Sequence, residues 1–116
     1  MTIEDFNEQY PFLISILVHG RAGSLLFDKP TWIEEARCRR EVQAQEVAVS
    51  LSLRWSAVRV SKFVHDASGA RFEPCLWYPS RDVCVETEAR YTSELAEENA
   101  RLQAESRPVS ERKEAQ

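Results

Sequence analysis

Apolar and polar residues alternate strictly over residues 46–57, near the middle of the chain. The apolar members of the alternation are Val47, Val49, Leu51, Leu53 and Trp55. A period of two is typical of a strand with one buried and one solvated face. The pattern therefore predicts a strand that places Trp55 in the core. After Trp55 the apolar positions shift from odd to even, which predicts a bulge near Ser56 and Ala57.

The alternation continues in two further stretches joined by turn residues. Residues 58–64 and 71–78 are separated by the sequence His-Asp-Ala-Ser-Gly-Ala, which favours a tight turn. We expect these stretches to form an antiparallel hairpin. Pro74 cannot donate a ladder hydrogen bond, so it must lie at an edge or at an irregular position. A further short strand is predicted at residues 83–85.

The first twenty residues show helical spacing instead. Apolar side chains recur three and four residues apart, at Ile3, Phe6, Tyr10, Leu13 and Leu17. Thr2 and Asp5 form a weak capping box, and Gly20 suits a helix end. The pattern predicts a helix that is kinked or restarted at Pro11. The alternative is a strand over residues 12–18, which are rich in β-branched side chains.

A second helix is predicted from Thr31 to Gln45. Thr31 and Glu34 have the spacing of a capping box, and the residues that follow have good helix propensity. The glycine-rich residues 20–24 predict a loop before it, and the apolar residues 25–27 are expected to enter the core.

A last helix is predicted from Thr92, with its acidic residues placed favourably against the helix dipole. Residues 107–116 carry many charges and predict a disordered tail after a single domain of residues 1–106. The fold class is therefore α+β: N-terminal helices, an antiparallel sheet of three or four strands with a central hairpin, and a C-terminal helix.

Composition narrows the function classes. The net charge of −4 argues against binding to nucleic acid by bulk electrostatics, although a local basic patch is compatible with it. The start of the chain is acidic, unlike a signal peptide, and the longest apolar run is too short to span a bilayer. Three cysteines without a Cys-x-x-Cys pair favour a reducing compartment. We expect a soluble, cytoplasmic protein that does not associate with membranes.

The sequence contains no recognisable catalytic or metal-binding motif. Cys75 and Cys84 lie too far apart in sequence for a zinc module, and Cys75 is not expected to pair with His65 across the hairpin. The glycines of residues 20–24 lack the lysine and the spacing of a phosphate-binding loop. We predict neither a catalytic residue, a cofactor nor a metal.

Two groups of residues are candidates for binding a partner. Acidic residues cluster late in the chain, and aromatic and arginine residues precede them; we assign a partner-binding surface to Glu86, Glu88, Glu94, Glu97, Glu98, Trp77, Tyr78 and Arg81. Because neighbouring side chains on a strand alternate, Trp77 and Tyr78 should point to opposite faces of the sheet. An alternative nucleic-acid patch consists of Arg37, Arg39 and Arg40.

These features favour a small non-enzymatic protein-binding module. It would be a regulator or inhibitor, of the type found in phages or mobile elements, that docks on a larger protein with a basic surface, such as one that handles nucleic acid. The alternative is a winged-helix-like DNA-binding regulator, which would require residues 31–57 to form one helix. A small enzyme with an unfamiliar site, and a homodimer formed by sheet extension, both remain open.

Overall fold

The computed structural model describes residues 2–20 and 29–105. In chain order its elements are α1 (Ile3–Gln9), β1 (Phe12–Val18), β2 (Thr31–Cys38), α2 (Glu41–Ser52), β3 (Val58–Asp66), β4 (Gly69–Tyr78) and α3 (Arg81–Glu105). The four strands form one antiparallel sheet in the order β2-β1-β3-β4. The predicted α+β class is confirmed, with a helix first, strands in the centre and a helix last.

The N-terminal helix is much shorter than predicted. The capping box is present, since the Thr2 and Asp5 side chains each bond the other's backbone, but α1 ends at Gln9. The preferred prediction of a helix over residues 12–18 is wrong, because β1 occupies them. Both faces of β1 are covered, so nearly all of its side chains are buried. A strand buried on both faces has no polar alternation, and here its β-branched residues decided the structure.

The predicted helix from Thr31 to Gln45 is also wrong in its first half. Thr31 begins β2, which pairs with β1 as far as Cys38. One register shift, opposite Ile14 and Ser15, leaves Glu35 as the extra residue of β2. The apparent capping box at Thr31 and Glu34 was a coincidence of spacing, and strand pairing with β1 overrode it.

The alternating stretch that predicted a strand is the helix α2. Residues 41–52 are helical, and Ala44 and Ala48, four residues apart, are completely buried against the sheet. Their small side chains let the helix approach the sheet closely. Of the alternating residues, Val49 and Leu53 are exposed, while Val47 and Leu51 are partly buried. Trp55 is exposed rather than part of the core. The predicted bulge at Ser56 and Ala57 falls in the connection between α2 and β3 instead.

The hairpin is confirmed in position and pairing. β3 and β4 pair from Val58 and Tyr78 to Asp66 and Gly69. Gly69 has a φ of 112°, a conformation that side-chain-bearing residues rarely adopt. Pro74 lies on an edge strand beside a register shift that leaves Cys75 unpaired, as its missing donor required.

The C-terminal helix begins eleven residues before the predicted start at Thr92, so the short strand predicted at residues 83–85 is wrong. The Ser80 hydroxyl accepts a hydrogen bond from the backbone nitrogen of Val83 at 3.2 Å, which is N-cap geometry. The resulting α3 is 25 residues long. Val83 and Val85 have the sequence pattern of a strand, but they lie on the first turns of this helix with exposed fractions of 37% and 58%.

The helices lie on both faces of the sheet. On one face, which we call the α2 face, Ala44 and Ala48 pack on a cluster that includes Ile14, Ile16 and Val60. On the opposite face, the α3 face, residues of α3 pack on a smaller cluster: Leu17, Ala57, Cys84, Trp32, Trp77 and Tyr91. Neighbouring residues of one strand therefore enter different layers, as Ile16 and Leu17 of β1 do.

The observed elements bear on the winged-helix alternative and on the prediction that the protein does not associate with membranes. Residues 31–57 contain a strand and a helix, so the single helix that the winged-helix alternative required is absent. The loop after Gly20, the apolar residues 25–27 and the tail 107–116 lie outside the described residues. Within the described ranges, none of the helices combines the length and hydrophobicity needed to cross a membrane.

The close approach of α2 to the sheet predicts a specific sensitivity. Replacing the completely buried Ala48 by leucine should lower the free energy of unfolding by about 1–3 kcal/mol, because the larger side chain has no space between helix and strand. Chemical denaturation measures the change. As a control, Ala89→Leu on the exposed side of α3 should change it by no more than about 0.5 kcal/mol. Equal losses in the two variants would contradict the packing described.

Candidate functional site

The helix α3 carries most of the predicted partner-binding residues. Glu86, Glu88, Glu94, Glu97 and Glu98 all lie on it, and Arg81 is its first residue. The helix contains seven acidic residues and three arginines. Its buried residues are Cys84, Thr87 and Leu95, so one side packs inward and the rest of its circumference is open. The helix thus brings the predicted cluster together, but its members point in different directions.

Glu88 is turned toward the sheet. Its carboxylate accepts a hydrogen bond from the indole Nε1 of Trp32 at 3.2 Å. The guanidinium carbon of Arg59 lies 4.4 Å from the centre of the Trp32 ring, which is cation–π distance. Trp32, Arg59 and Glu88 therefore connect β2, β3 and α3.

Arg59 is the least satisfied polar side chain of this arrangement. Its Nε is buried and has no hydrogen-bond partner within the described residues. Burial lowers the pKa of Arg59, and the negative charge of Glu88 opposes that effect. A guanidinium in this setting is held by the face of an indole ring more than by hydrogen bonds.

Trp77 and Arg81 extend the row of aromatic rings and arginines that begins with Trp32 and Arg59. Trp77 is the direct cross-strand partner of Arg59, and the Arg81 guanidinium lies 5.2 Å from the centre of its ring. Tyr78 packs instead against the cluster on the α2 face. Trp77 and Tyr78 thus point to opposite faces, as their adjacent positions on a strand required, and Tyr78 is separated from the other predicted residues.

Glu94 is also engaged within the chain. Its carboxylate lies 2.7 Å from Nε2 of His19, at the end of β1, and 3.8 Å from Nε of Arg90. The His19 ring packs edge-on against Tyr91, with the ring centres 4.7 Å apart. The pKa of His19 is raised, and the largest cause is the hydrogen bond to the Gly20 carbonyl; desolvation, the next largest effect, opposes it, and the hydrogen bond and charge of Glu94 raise the pKa further. Glu94 therefore fastens α3 to the sheet.

An open acidic groove remains on the C-terminal half of α3. Glu94, Glu97, Glu98 and Arg101 line it, and its volume is about 360 Å³. Three carboxylates against one guanidinium give the groove a negative character. This charge suits a cationic group better than an apolar one.

The alternative patch of arginines does not form one surface. Arg37 reaches across the α3 face of the sheet, where its guanidinium carbon lies 5.0 Å from the ring centre of Phe6 and 4.7 Å from that of Phe72. It also donates hydrogen bonds to Asn7 Oδ1 at 2.7 Å and to Glu34. Arg37 therefore holds α1 on the sheet and is not available to a phosphate.

The two neighbouring arginines have different surroundings. Arg39 lies over the Tyr10 ring and donates a hydrogen bond to its hydroxyl at 3.2 Å. Arg40 is exposed at the N-cap of α2. An adjacent groove of about 480 Å³ includes Glu46 beside Arg37 and Arg39, so its charge is mixed. Mixed charge is a poor match to a phosphate backbone.

The three cysteine thiols are not activated as nucleophiles. Burial raises the pKa of Cys38, Cys75 and Cys84, which disfavours the nucleophilic thiolate. Among the described residues, no group of three histidine, cysteine or acidic side chains is placed to hold a metal.

The partner-binding surface predicted from the sequence left out three residues that contact it: His19, Trp32 and Arg59. Trp32 and Arg59 belong to the alternating positions of β2 and β3 that face away from α2. An arginine between two apolar strand residues, Val58 and Val60, was a usable signal of a second covered face. The contact of His19 with Glu94 joins residues 75 positions apart and had no local signal.

Comparisons with family models, with curated proteins and with solved structures find no match to this chain.

The ion pair of His19 predicts a dependence of stability on pH. Because the folded state raises the pKa of His19, the stabilisation is fully present below the ordinary histidine pKa of about 6.5 and is lost as the pH rises through the raised value. The melting temperature should therefore fall as the pH increases above about 6.5. Glu94→Gln should reduce this fall, and Glu97→Gln on the same helix should leave it intact. An unchanged pH profile in Glu94→Gln would contradict the assignment.

The stacking of Arg37 between two rings predicts that a lysine cannot replace it. Arg37→Lys keeps the charge but loses the planar contacts with Phe6 and Phe72, so the free energy of unfolding should fall by about 1–2 kcal/mol. Amide exchange in α1 should accelerate, since a seven-residue helix is not stable alone. Arg40→Lys, an exposed arginine nearby, is the control. Unchanged exchange in α1 would show that other contacts hold it.

Proposed function

We propose that the protein is a non-enzymatic protein-binding module, a regulator or inhibitor that docks through α3 on a larger protein with a basic surface. The observation that supports this proposal is the acidic groove of Glu94, Glu97, Glu98 and Arg101 on an otherwise open helix. A rigid helix with negative charge presents its carboxylates in fixed positions, which favours recognition of a complementary basic surface.

The contacts divide the acidic residues by role. Glu88 bonds Trp32 and Glu94 bonds His19, so these two hold α3 in place. Glu86 and Glu97 are exposed and form no hydrogen bond or salt bridge within the described residues, which leaves their charge for a partner. Glu98, which is half-buried, lines the same groove.

Aromatic residues beside the helix supply a second element of binding. Trp77 is half-buried and stacks with Arg81 at the start of α3. Tryptophan and arginine are enriched among the residues that dominate binding energy at protein interfaces. The proposed surface therefore combines an aromatic anchor near Arg81 with carboxylates along the helix that follows.

The partner that fits this surface is a protein rich in lysine and arginine, such as one that handles nucleic acid. An acidic module on such a surface competes with the phosphates that the partner normally binds, which is how it would regulate or inhibit.

The proposal predicts that a partner is lost when the exposed carboxylates are reversed. A tagged protein should capture a stoichiometric partner from extract of its native cell, and nuclease treatment should not release it. The double variant Glu86→Lys/Glu97→Lys should bind that partner at least about tenfold more weakly, because two attractions become repulsions.

A control variant and two contrary results complete the test. Glu35→Lys changes an exposed carboxylate on β2 and should bind like the unchanged protein. Affinity for the partner should also fall with added salt. Release of the captured material by nuclease, or equal binding by the double variant, would overturn the proposal.

A further inference from the structure

Both nitrogens of the His19 ring face a hydrogen-bond acceptor. Nδ1 lies 2.8 Å from the backbone carbonyl oxygen of Gly20, and Nε2 lies 2.7 Å from a carboxylate oxygen of Glu94. Neither a carbonyl nor an ionised carboxylate can donate a hydrogen bond, so each contact requires a proton on the ring nitrogen. A neutral imidazole carries one such proton, whereas the imidazolium carries two. The arrangement therefore fits the charged ring alone.

Among the described residues, the charged groups that act on His19 belong to α3. The negative charges of Glu94 and Glu98 raise its pKa, and the Tyr91 ring contacts it edge-on. Arg90 lies 3.8 Å from the second carboxylate oxygen of Glu94, so that carboxylate has two cationic neighbours. The His19 side chain is 34% exposed, and its protons can therefore exchange with solvent while the protein stays folded.

Loss of one ring proton breaks one of the two hydrogen bonds. Gly20 follows His19 directly in the chain, so its carbonyl stays beside the ring without further ordering of the backbone. Glu94 lies 75 positions away on another element, where its side chain is exposed and has Arg90 as an alternative partner. The remaining proton therefore stays on Nδ1. The lone pair of Nε2 then faces the carboxylate and repels it.

We propose that the contact between His19 and Glu94 is a pH-sensitive switch between the end of β1 and the middle of α3. The charged ring binds Glu94 and fixes α3 at the sheet, and the neutral ring releases it. The hydrogen bond from Trp32 to Glu88 does not involve the imidazole, so the first half of α3 stays attached in both states.

The contact is lost as the pH rises. Because the folded state raises the pKa of His19, the charged ring persists above the ordinary histidine pKa of about 6.5 and loses its proton only when the pH passes the raised value. Histidine is the side chain whose ordinary pKa allows a change of charge between about pH 5 and about pH 8. A modest change in pH is therefore enough to operate the switch.

The released carboxylate belongs to the acidic groove. Glu94 lines the groove with Glu97, Glu98 and Arg101, and the imidazolium of His19 neutralises its charge. The neutral ring leaves this charge uncompensated, so a cationic group should bind in the groove more tightly at higher pH. By linkage, a bound cation should lower the pKa of His19. This consequence rests on the function proposed for α3, whereas the switch itself does not.

Nitrogen-15 NMR of the full chain tests the protonation of the ring directly, because it distinguishes the imidazolium from each neutral tautomer. Between about pH 5 and about pH 9, His19 should change from the doubly protonated ring to the tautomer with its proton on Nδ1. Glu94→Gln should lower the pH of this change, and Glu97→Gln should not. A neutral ring with its proton on Nε2, or the same titration in Glu94→Gln, would overturn the proposal.

Amide hydrogen exchange tests whether the contact fixes α3. After correction for the intrinsic rate, protection of the amide groups around Glu94 should fall as the pH rises through the titration of His19. His19→Gln has no titrating ring and should lose this pH dependence. His65→Gln, which changes the exposed histidine of the hairpin, should retain it, and circular dichroism confirms that both variants fold. Protection independent of pH in the unchanged protein, or the same dependence in His19→Gln, would contradict the proposal.

Binding of an oligolysine peptide at constant ionic strength separates the switch from the function proposed for α3. The unchanged protein and His65→Gln should bind it about two- to fivefold more tightly at about pH 8 than at about pH 6. His19→Gln should bind it equally at both. Failure to bind at either pH would overturn the function proposed for α3 and leave the switch seen by NMR and exchange. Equal binding at both pH values by the unchanged protein would instead refute the link between switch and groove.

Discussion

The burial of β1 on both faces is the constraint on which the rest of the structure depends. The strand lies between β2 and β3, so its backbone is hydrogen-bonded on both sides. Its side chains enter both hydrophobic clusters: Ile14 and Ile16 lie under α2, and Leu17 belongs to the cluster at α3. A strand of this kind cannot be solvated on either face, so helices must cover both. The acidic surface proposed to bind a partner is the outer side of one of those covering helices, α3.

Arginine–aromatic stacking is the second interaction that organises the molecule. Arg37 and Arg59 lie on the same face of the sheet, the first between Phe6 and Phe72 and the second on Trp32. A guanidinium is planar and weakly hydrated, so it packs on rings where an ammonium would not. On this face, arginine side chains pack between helices and sheet, as aliphatic side chains do under α2. Arg37 holds α1 on the sheet, and Arg59 packs on the Trp32 ring that donates a hydrogen bond to Glu88 of α3.

The sequence predicted the elements whose signals are local. The hairpin of β3 and β4 follows from turn residues and alternation, the capping box at Thr2 follows from the spacing of Thr2 and Asp5, and both are present, as is the α+β class. It misassigned β1 and α2 because each has a pattern compatible with both helix and strand. Only the pairing of β1 with two neighbours, and the fit of Ala44 and Ala48 on the sheet, separate the alternatives. The contacts of His19 and Trp32 with α3 depend on that packing, so the sequence alone could not predict them.

Both outer strands of the sheet are irregular, which opposes the addition of further strands. Each outer strand carries one extra residue, Glu35 in β2 and Cys75 in β4, and Pro74 removes a donor beside the second of these. A further strand added at either edge would meet a broken ladder of hydrogen bonds. Addition of strands edge to edge can continue without limit and produces fibres. The irregular edges therefore oppose open-ended growth of the sheet.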